Sequence, residues 1–285
     1  MKPPPFSYHD PESISEVLDL LGRCQNARLL AGGQSLMPML NMRFVLPDHV
    51  IDLNRLEALS FVRESPAAIE IGAMTRQRDI EFDPTIRARC PILREAILQV
   101  GHRQTRNRGT IGGSLCHLDP SAELVAAAMA LDAVVTVAGR DGARDIPFAQ
   151  FPAGYMTPAI EPDELVTAVR FPLWPKGHGY AFVEFARRHG DFAMCSAAVL
   201  MEKSGGKVTR ASVTVAGLGP APARVREAEQ VLVGNVSSDA LFREAAEQCR
   251  KLDAVDDVYA PASYRQQLAA VLTRRALEKA NARCA

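Results

Sequence analysis

The sequence carries no excess of either charge sign. Its 33 Lys and Arg balance 33 Asp and Glu, so the formal net charge is zero. A dedicated nucleic-acid binder presents a net basic face, so that class is set aside. No apolar run approaches the ~18 residues needed to cross a bilayer, so no membrane span is expected. The first residues, Met1-Lys2-Pro3-Pro4-Pro5-Phe6, have a positive charge but no apolar stretch behind it. A secretory signal is therefore not expected, and the expected location is cytoplasmic. Cysteine is sparse: Cys24, Cys90, Cys116, Cys195, Cys249 and Cys284, with no C-x-x-C pair. Neither a zinc or iron–sulfur centre built by this chain alone nor a disulfide framework is expected. The six histidines are scattered, with no H-E-x-x-H or comparable pair. No metal ligand and no catalytic residue is assigned.

What is present is an ordinary globular composition, 47% hydrophobic and 23% charged over 285 residues, long enough for two domains. Residues 12–22 read as a helix with Ile14, Val17, Leu18 and Leu21 on one face. Ala27–Ala31 reads as a buried strand that stops at Gly32-Gly33, and Val50–Leu53 as another. The middle of the chain predicts a strand at 68–73, a helix at 91–100 and a buried helix at 123–131. A strand at 134–138 meets a hairpin turn at Gly139-Arg140-Asp141-Gly142, and a further strand runs from Leu165 to Phe171. Leu173–Gly179 is broken by Gly and Pro and reads as a linker. Beyond it, strands at 180–185, 196–201 and 208–216 in meander order precede helices near 225–233, 238–251 and 262–280. That order predicts an α+β second part.

Two glycine segments stand out. Ala31-Gly32-Gly33-Gln34-Ser35-Leu36 leaves a strand and enters a short helix, where Ser35 or Gln34 is placed to cap. Thr110-Ile111-Gly112-Gly113-Ser114 is followed by Asp119-Pro120, which reads as the N-cap and first residue of the next helix. Paired glycines accept positive φ without the ~1–2 kcal/mol that a side chain costs, and their N–H groups can converge into an anion-binding nest. Neither segment fits G-x-G-x-x-G or G-x-x-x-x-G-K-S/T, so neither a Rossmann site nor a P-loop is supported. Two such segments favour a pyrophosphate over a single phosphate.

At these segments the sequence resembles the FAD-binding medium subunits of the xanthine dehydrogenase and carbon monoxide dehydrogenase family, the molybdenum hydroxylases. The resemblance rests on Leu30–Leu36 and Thr110–Ser114 and extends through Asp119–Glu123, Val169–Pro172 and Phe185–Ala193. It implies a two-part FAD-binding domain of the PCMH (vanillyl-alcohol-oxidase-like) type over 1–175, with subdomains of about 1–55 and 56–175. A smaller C-terminal domain over 176–285 would hold a three-stranded antiparallel sheet and helices. It implies FAD as the cofactor of this chain, with molybdopterin and 2Fe–2S clusters only in partner subunits. Those partners would be a large molybdopterin subunit and a small iron–sulfur subunit, in a dimer of heterotrimers.

The resemblance also implies site residues. Leu30, Ala31, Gly32, Gly33, Gln34, Ser35 and Leu36 would hold the pyrophosphate and its surroundings. Thr110, Ile111, Gly112, Gly113 and Ser114 would hold its other side, with His117 nearby. Glu123 would bond a ribose hydroxyl, Val166 would lie beside the flavin or adenine, and Arg187, Asp191 and Phe192 would approach the isoalloxazine ring. Position 114 is Ser where many relatives carry Asn, and Val183-Glu184 stands where some relatives place a lysine near the flavin. Read from the residues alone, Glu123 is equally a first-turn helix acid, His117 a polar loop residue and Phe192 a core residue at a strand start. The run Arg103, Arg106, Arg108 is either a solvated loop or a contact for a partner or the cofactor's phosphates. Three functions stay open on sequence: an electron-transfer flavoprotein subunit, a self-contained FAD-dependent oxidoreductase, and a flavin-binding protein without catalysis.

Overall fold

The computed structural model describes residues 1–285, and the chain builds three main layers. The first contains strands β1 (Ser7–His9), β2 (Ala27–Leu30) and β3 (His49–Asp52), with helices α1 (Ile14–Arg23) and α2 (Leu36–Asn41). The strand order is β1-β3-β2, and both outer strands run parallel to β3. Ser13 caps α1 by accepting from Glu16 N, and Val17 is driven into a small core with Ile51, Leu53 and Leu165.

The second layer is a five-stranded antiparallel sheet ordered β4-β5-β10-β6-β7. Its strands are β4 (Val62–Glu64), β5 (Ala68–Gly72), β6 (Val134–Gly139), β7 (Gly142–Pro147) and β10 (Leu165–Pro172). A small hairpin, β8 (Pro152–Gly154) and β9 (Thr157–Pro158), lies between β7 and β10 in the chain. The helices α3 (Gln77–Phe82), α4 (Pro84–Arg89), α5 (Pro91–Gln99), α6 (Arg103–Arg108), α7 (Ile111–His117) and α8 (Glu123–Ala130) fill the span between β5 and β6. The basic run is thus a short helix rather than a loop. Every residue of α8 is buried, which its Glu-Leu-Val-Ala-Ala-Ala-Met-Ala composition permits.

The third layer is a meander of β11 (Gly179–Phe185), β12 (Cys195–Ser204) and β13 (Lys207–Ala216). A two-residue edge strand, β14 (Ala223–Arg224), joins it, so the sheet has four strands where the sequence predicted three. Helices α9 (Arg226–Leu232), α10 (Asp239–Cys249) and α11 (Ala262–Arg283) follow. Alternation along β12 sends Ala197, Val199 and Met201 into the core shared with α9–α11, and Ala198 and Leu200 into the core shared with α8. Residues 173–178 form no loose tether: Trp174 is buried, with the Arg210 guanidinium over its ring at 3.9 Å. All six cysteines are free thiols.

Candidate functional site

The first glycine segment is a turn at the C-terminal end of a parallel strand. Leu53 N donates to Leu30 O at 2.9 Å, and Asn54 Nδ2 donates to Ala31 O at 3.0 Å. Gly33 then takes φ 73°, and its carbonyl receives Met37 N at 3.1 Å as α2 begins. The N–H groups of Gly32, Gly33, Gln34 and Ser35 donate to no protein group. Four consecutive free donors at a left-handed turn suit an anion. Neither predicted cap forms: the Gln34 amide donates to Gly32 O at 3.1 Å, and Ser35 holds the N-cap position in αR geometry without a side-chain bond.

The second glycine segment corrects the sequence reading. It is not a loop but the first turn of α7, with Thr110 at the N-cap accepting from Gly113 N at 3.1 Å. Ile111 N donates to Thr75 O at 3.2 Å, Gly112 N to Ala73 O at 2.9 Å and Ser114 N to Thr110 O at 3.1 Å. These donors are spent inside the protein, so only the first segment offers a row of free N–H groups. Glycine is needed in the second for close approach. A Cβ on Gly112 would lie 2.6 Å from Ala73 Cβ, and one on Gly113 would lie 2.8 Å from Thr110 Oγ1 and 3.3 Å from Ala31 Cβ. The two segments therefore touch, and a Cβ on Gly32 would overlap the Arg108 carbonyl. Arg76 ties them further, donating to Arg108 O and to Asn54 Oδ1, each at 2.5 Å. Burial, then the nearby Arg108, lowers its pKa.

Beyond α7 the chain enters a cleft. Leu118 ends the helix in the left-handed region, φ 52°, and Asp119 Oδ1 accepts from Ser121 N at 2.8 Å. Helix α8 starts only at Glu123, with Ala122 at its N-cap, so Asp119 and Pro120 do not begin it. Pro120 O instead accepts from Gly217 N at 3.0 Å, joining this turn to β13. Opposite it lies the connection between β11 and β12. Gly190, φ 90°, fits against the His102 ring, and Arg187 stacks 4.0 Å over Tyr259 while reaching Asp191 at 3.7 Å. Phe192 is 65% exposed, so it is not a core residue. Asp119, Ser121, Arg187, Asp191, Phe192 and Tyr259 line a cleft of about 560 Å³.

Two acids lie behind this cleft. Glu123 is buried, and desolvation pushes its carboxyl up to about 7. Glu184 shares the β11 face of Phe182 and stands opposite Ser196. Its Oε2 is buried without a partner, and desolvation, reinforced by Glu123, pushes it up to about 8. His117 is half-buried, and burial lowers its pKa. Leu30 and Leu36 flank the first turn, half-buried. Val166 stands apart: it is buried in the core at a bulge of β10, paired with Val137 of β6. Asn54 and Arg76 were missed by sequence reasoning; the only signal was an Asn following the strand-like Val50–Leu53.

Residues 4–174 match the FAD binding domain in molybdopterin dehydrogenase, and residues 180–280 match the CO dehydrogenase flavoprotein C-terminal domain. The chain belongs to the FAD-binding medium subunits of the molybdenum hydroxylases. It is 41% identical over 283 residues to the 6-hydroxypseudooxynicotine dehydrogenase complex subunit alpha of Paenarthrobacter nicotinovorans, covering 98% of this chain and 96% of that one. It is 36% identical over 287 residues to the carbon monoxide dehydrogenase medium chain of Hydrogenophaga pseudoflava, covering 100% of each. The solved carbon monoxide dehydrogenase of that organism, lacking the Mo-pyranopterin moiety, superposes with a TM-score of 0.97 at 37% identity over 100% of both chains. The medium-subunit chain is accordingly an oxidoreductase component with an FAD-binding domain. The four free N–H groups of its first glycine turn fit the pyrophosphate of that cofactor.

Proposed function

We propose that this chain is the electron-transfer flavoprotein of a heteromeric molybdenum hydroxylase. It takes electrons from the 2Fe–2S clusters of a small partner subunit and passes them through FAD to an external acceptor. Substrate oxidation belongs to a large molybdopterin subunit, and the assembly is a cytoplasmic dimer of heterotrimers. The observation that carries the reading is the row of free N–H groups at 32–35, packed against the second glycine segment. Bound FAD supplies a redox couple that accepts and releases two electrons; the protein supplies position and electrostatics.

In this reading Gly32 to Ser35 hold the pyrophosphate through main-chain N–H groups. Gly112 and Gly113 let the start of α7 pack against Ala73 and Ala31, which sets Thr110 and Ser114 beside the first glycine turn and its cofactor. Glu123 receives a ribose hydroxyl. Arg187, Asp191 and Phe192 border the ring, and Arg187 offers a positive charge to an approaching partner. The curated relatives carry names for unlike compounds, 6-hydroxypseudooxynicotine and carbon monoxide, on chains alike along their whole length. That supports a substrate chosen by another subunit. Reconstitution tests the reading. Substrate is expected to bleach the flavin only after the molybdopterin and iron–sulfur subunits are added. Bleaching by substrate in the purified chain alone would replace this reading with a self-contained oxidoreductase.

A further inference from the structure

The fold collects three donor side chains that the sequence leaves far apart. His9 closes β1, His49 opens β3, and Cys24 follows α1 as its C-cap, held there by its own N–H to Leu20 O at 2.8 Å. The parallel pairing of β1 with β3 puts Ser7 beside His49 and His9 beside Ile51, so the two imidazoles stand near one another on adjacent strands. A ring nitrogen of each histidine and the Cys24 sulfur all lie within 4.8 Å of one another, and all three residues are half-buried. The His9 Nε2 to His49 Nδ1 separation is 3.0 Å.

We infer that His9, Cys24 and His49 form a binding site for one zinc-class divalent ion. Two nitrogens bound at about 2.0–2.1 Å on a tetrahedral ion lie about 3.3 Å apart, so the histidine pair needs to open only slightly. Two imidazoles and a thiolate form a borderline-to-soft donor set, which suits zinc over magnesium or calcium. The fourth position goes to water. Binding releases the thiol proton to solvent as the sulfur–metal bond forms, and no oxidant or reductant is involved. The neighbouring cleft is lined by Asp10, Glu16 and Asp19 as well as His9, which gives a hydrated cation an acidic approach. The ion would fasten the end of α1 to β1 and β3 within the layer whose β2 leads into the glycine turn. This site is independent of the flavin reading and remains testable if that reading fails.

The test titrates the FAD-loaded full chain, first stripped with a chelator, with Zn²⁺ against a chromophoric competitor, and separately with Co²⁺. One ion per chain and a thiolate-to-cobalt charge-transfer band are expected. Cys24→Ser should abolish that band, and Cys24→Ser and His49→Gln should each weaken Zn²⁺ by more than the roughly 10–100-fold lost on removing an outer-shell partner. Flavin content should stay unchanged in both variants and so report intact folding. Failure to bind one ion per chain, Co²⁺ bound without the thiolate band, or equal affinity in folded variants and parent would overturn the site. The cobalt spectrum of the unaltered chain decides the question even where a variant folds poorly.

Discussion

Gly32 and Gly33 are neighbours in sequence but are glycine for different reasons. Gly33 sits at φ 73°, where a side chain costs about 1–2 kcal/mol. Gly32 has no room, because a Cβ would meet the Arg108 carbonyl. Gly33→Val is expected to lower FAD affinity by roughly five- to thirtyfold, the affinity equivalent of that strain, while circular dichroism stays unchanged. Gly113→Val crowds Thr110 and Ala31 and is expected to lose FAD in the same way. Flavin titration of each purified variant measures both. Glu123 and Glu184 make a second residue-scale prediction. Their carboxyls are raised from 4.5 to about 7 and about 8 by burial. Between the ordinary and the raised values the folded chain holds protons that the unfolded chain has released, so stability falls as pH rises through that window. The FAD-free chain should therefore melt at a lower temperature at pH 8 than at pH 6. Glu184→Gln should shrink that difference, whereas an unchanged difference would remove Glu184 from the account.

At the scale of elements, α6 shows how tertiary contacts redirect a sequence signal. Its three arginines left a solvated loop and a contact for a partner or the cofactor's phosphates equally open. Arg106 instead points inward, donating to Glu81 Oε2 at 2.9 Å and Val100 O at 3.0 Å, while Arg103 and Arg108 stay exposed. Removing one partner of a buried ion pair costs about 3–5 kcal/mol. Arg78 still reaches Glu81 at 3.1 Å, so Arg106→Ala should fall near the lower end of that range in a denaturant titration. Longer elements were legible because their apolar spacing is regular: α1, α5, α8, α10, α11 and the three meander strands β11, β12 and β13 fall where the pattern put them. Helix α7 was not, because a Gly-Gly pair costs each position about 1 kcal/mol relative to Ala and reads as a turn. Packing against Ala73 and the Thr110 cap overrides that cost. Asp119-Pro120 misled for the converse reason: local capping preference favoured a helix start there, but Pro120 O is engaged by Gly217. The glycine segments and Glu123 were visible as residues in sequence. Their mutual contact through Arg76 and Asn54, the free Glu184 oxygen and the His9–Cys24–His49 cluster depend on distant segments meeting, which no local pattern encodes.

Across the whole molecule, one core of 36 buried residues runs from Ile69 to Ala216 and joins the second and third layers around α8. This packing fixes the 119–121 turn against β13 and sets the cleft between it and the 187–192 connection. A rigid frame of this kind suits a relay, which must hold its cofactor at one distance from a partner while leaving one edge accessible. Charge reversal at Arg187 is therefore expected to slow electron entry more than it weakens FAD binding, because Arg187 is exposed at the cleft rim. The most direct measurement is anaerobic rapid mixing of the FAD-loaded chain with its iron–sulfur partner subunit, reduced beforehand and freed of excess reductant, while flavin absorbance is followed. Prompt loss of flavin absorbance is expected with the parent chain, and a slower loss with Arg187→Glu at equal flavin content. Flavin that keeps its absorbance in the presence of the reduced partner would contradict it.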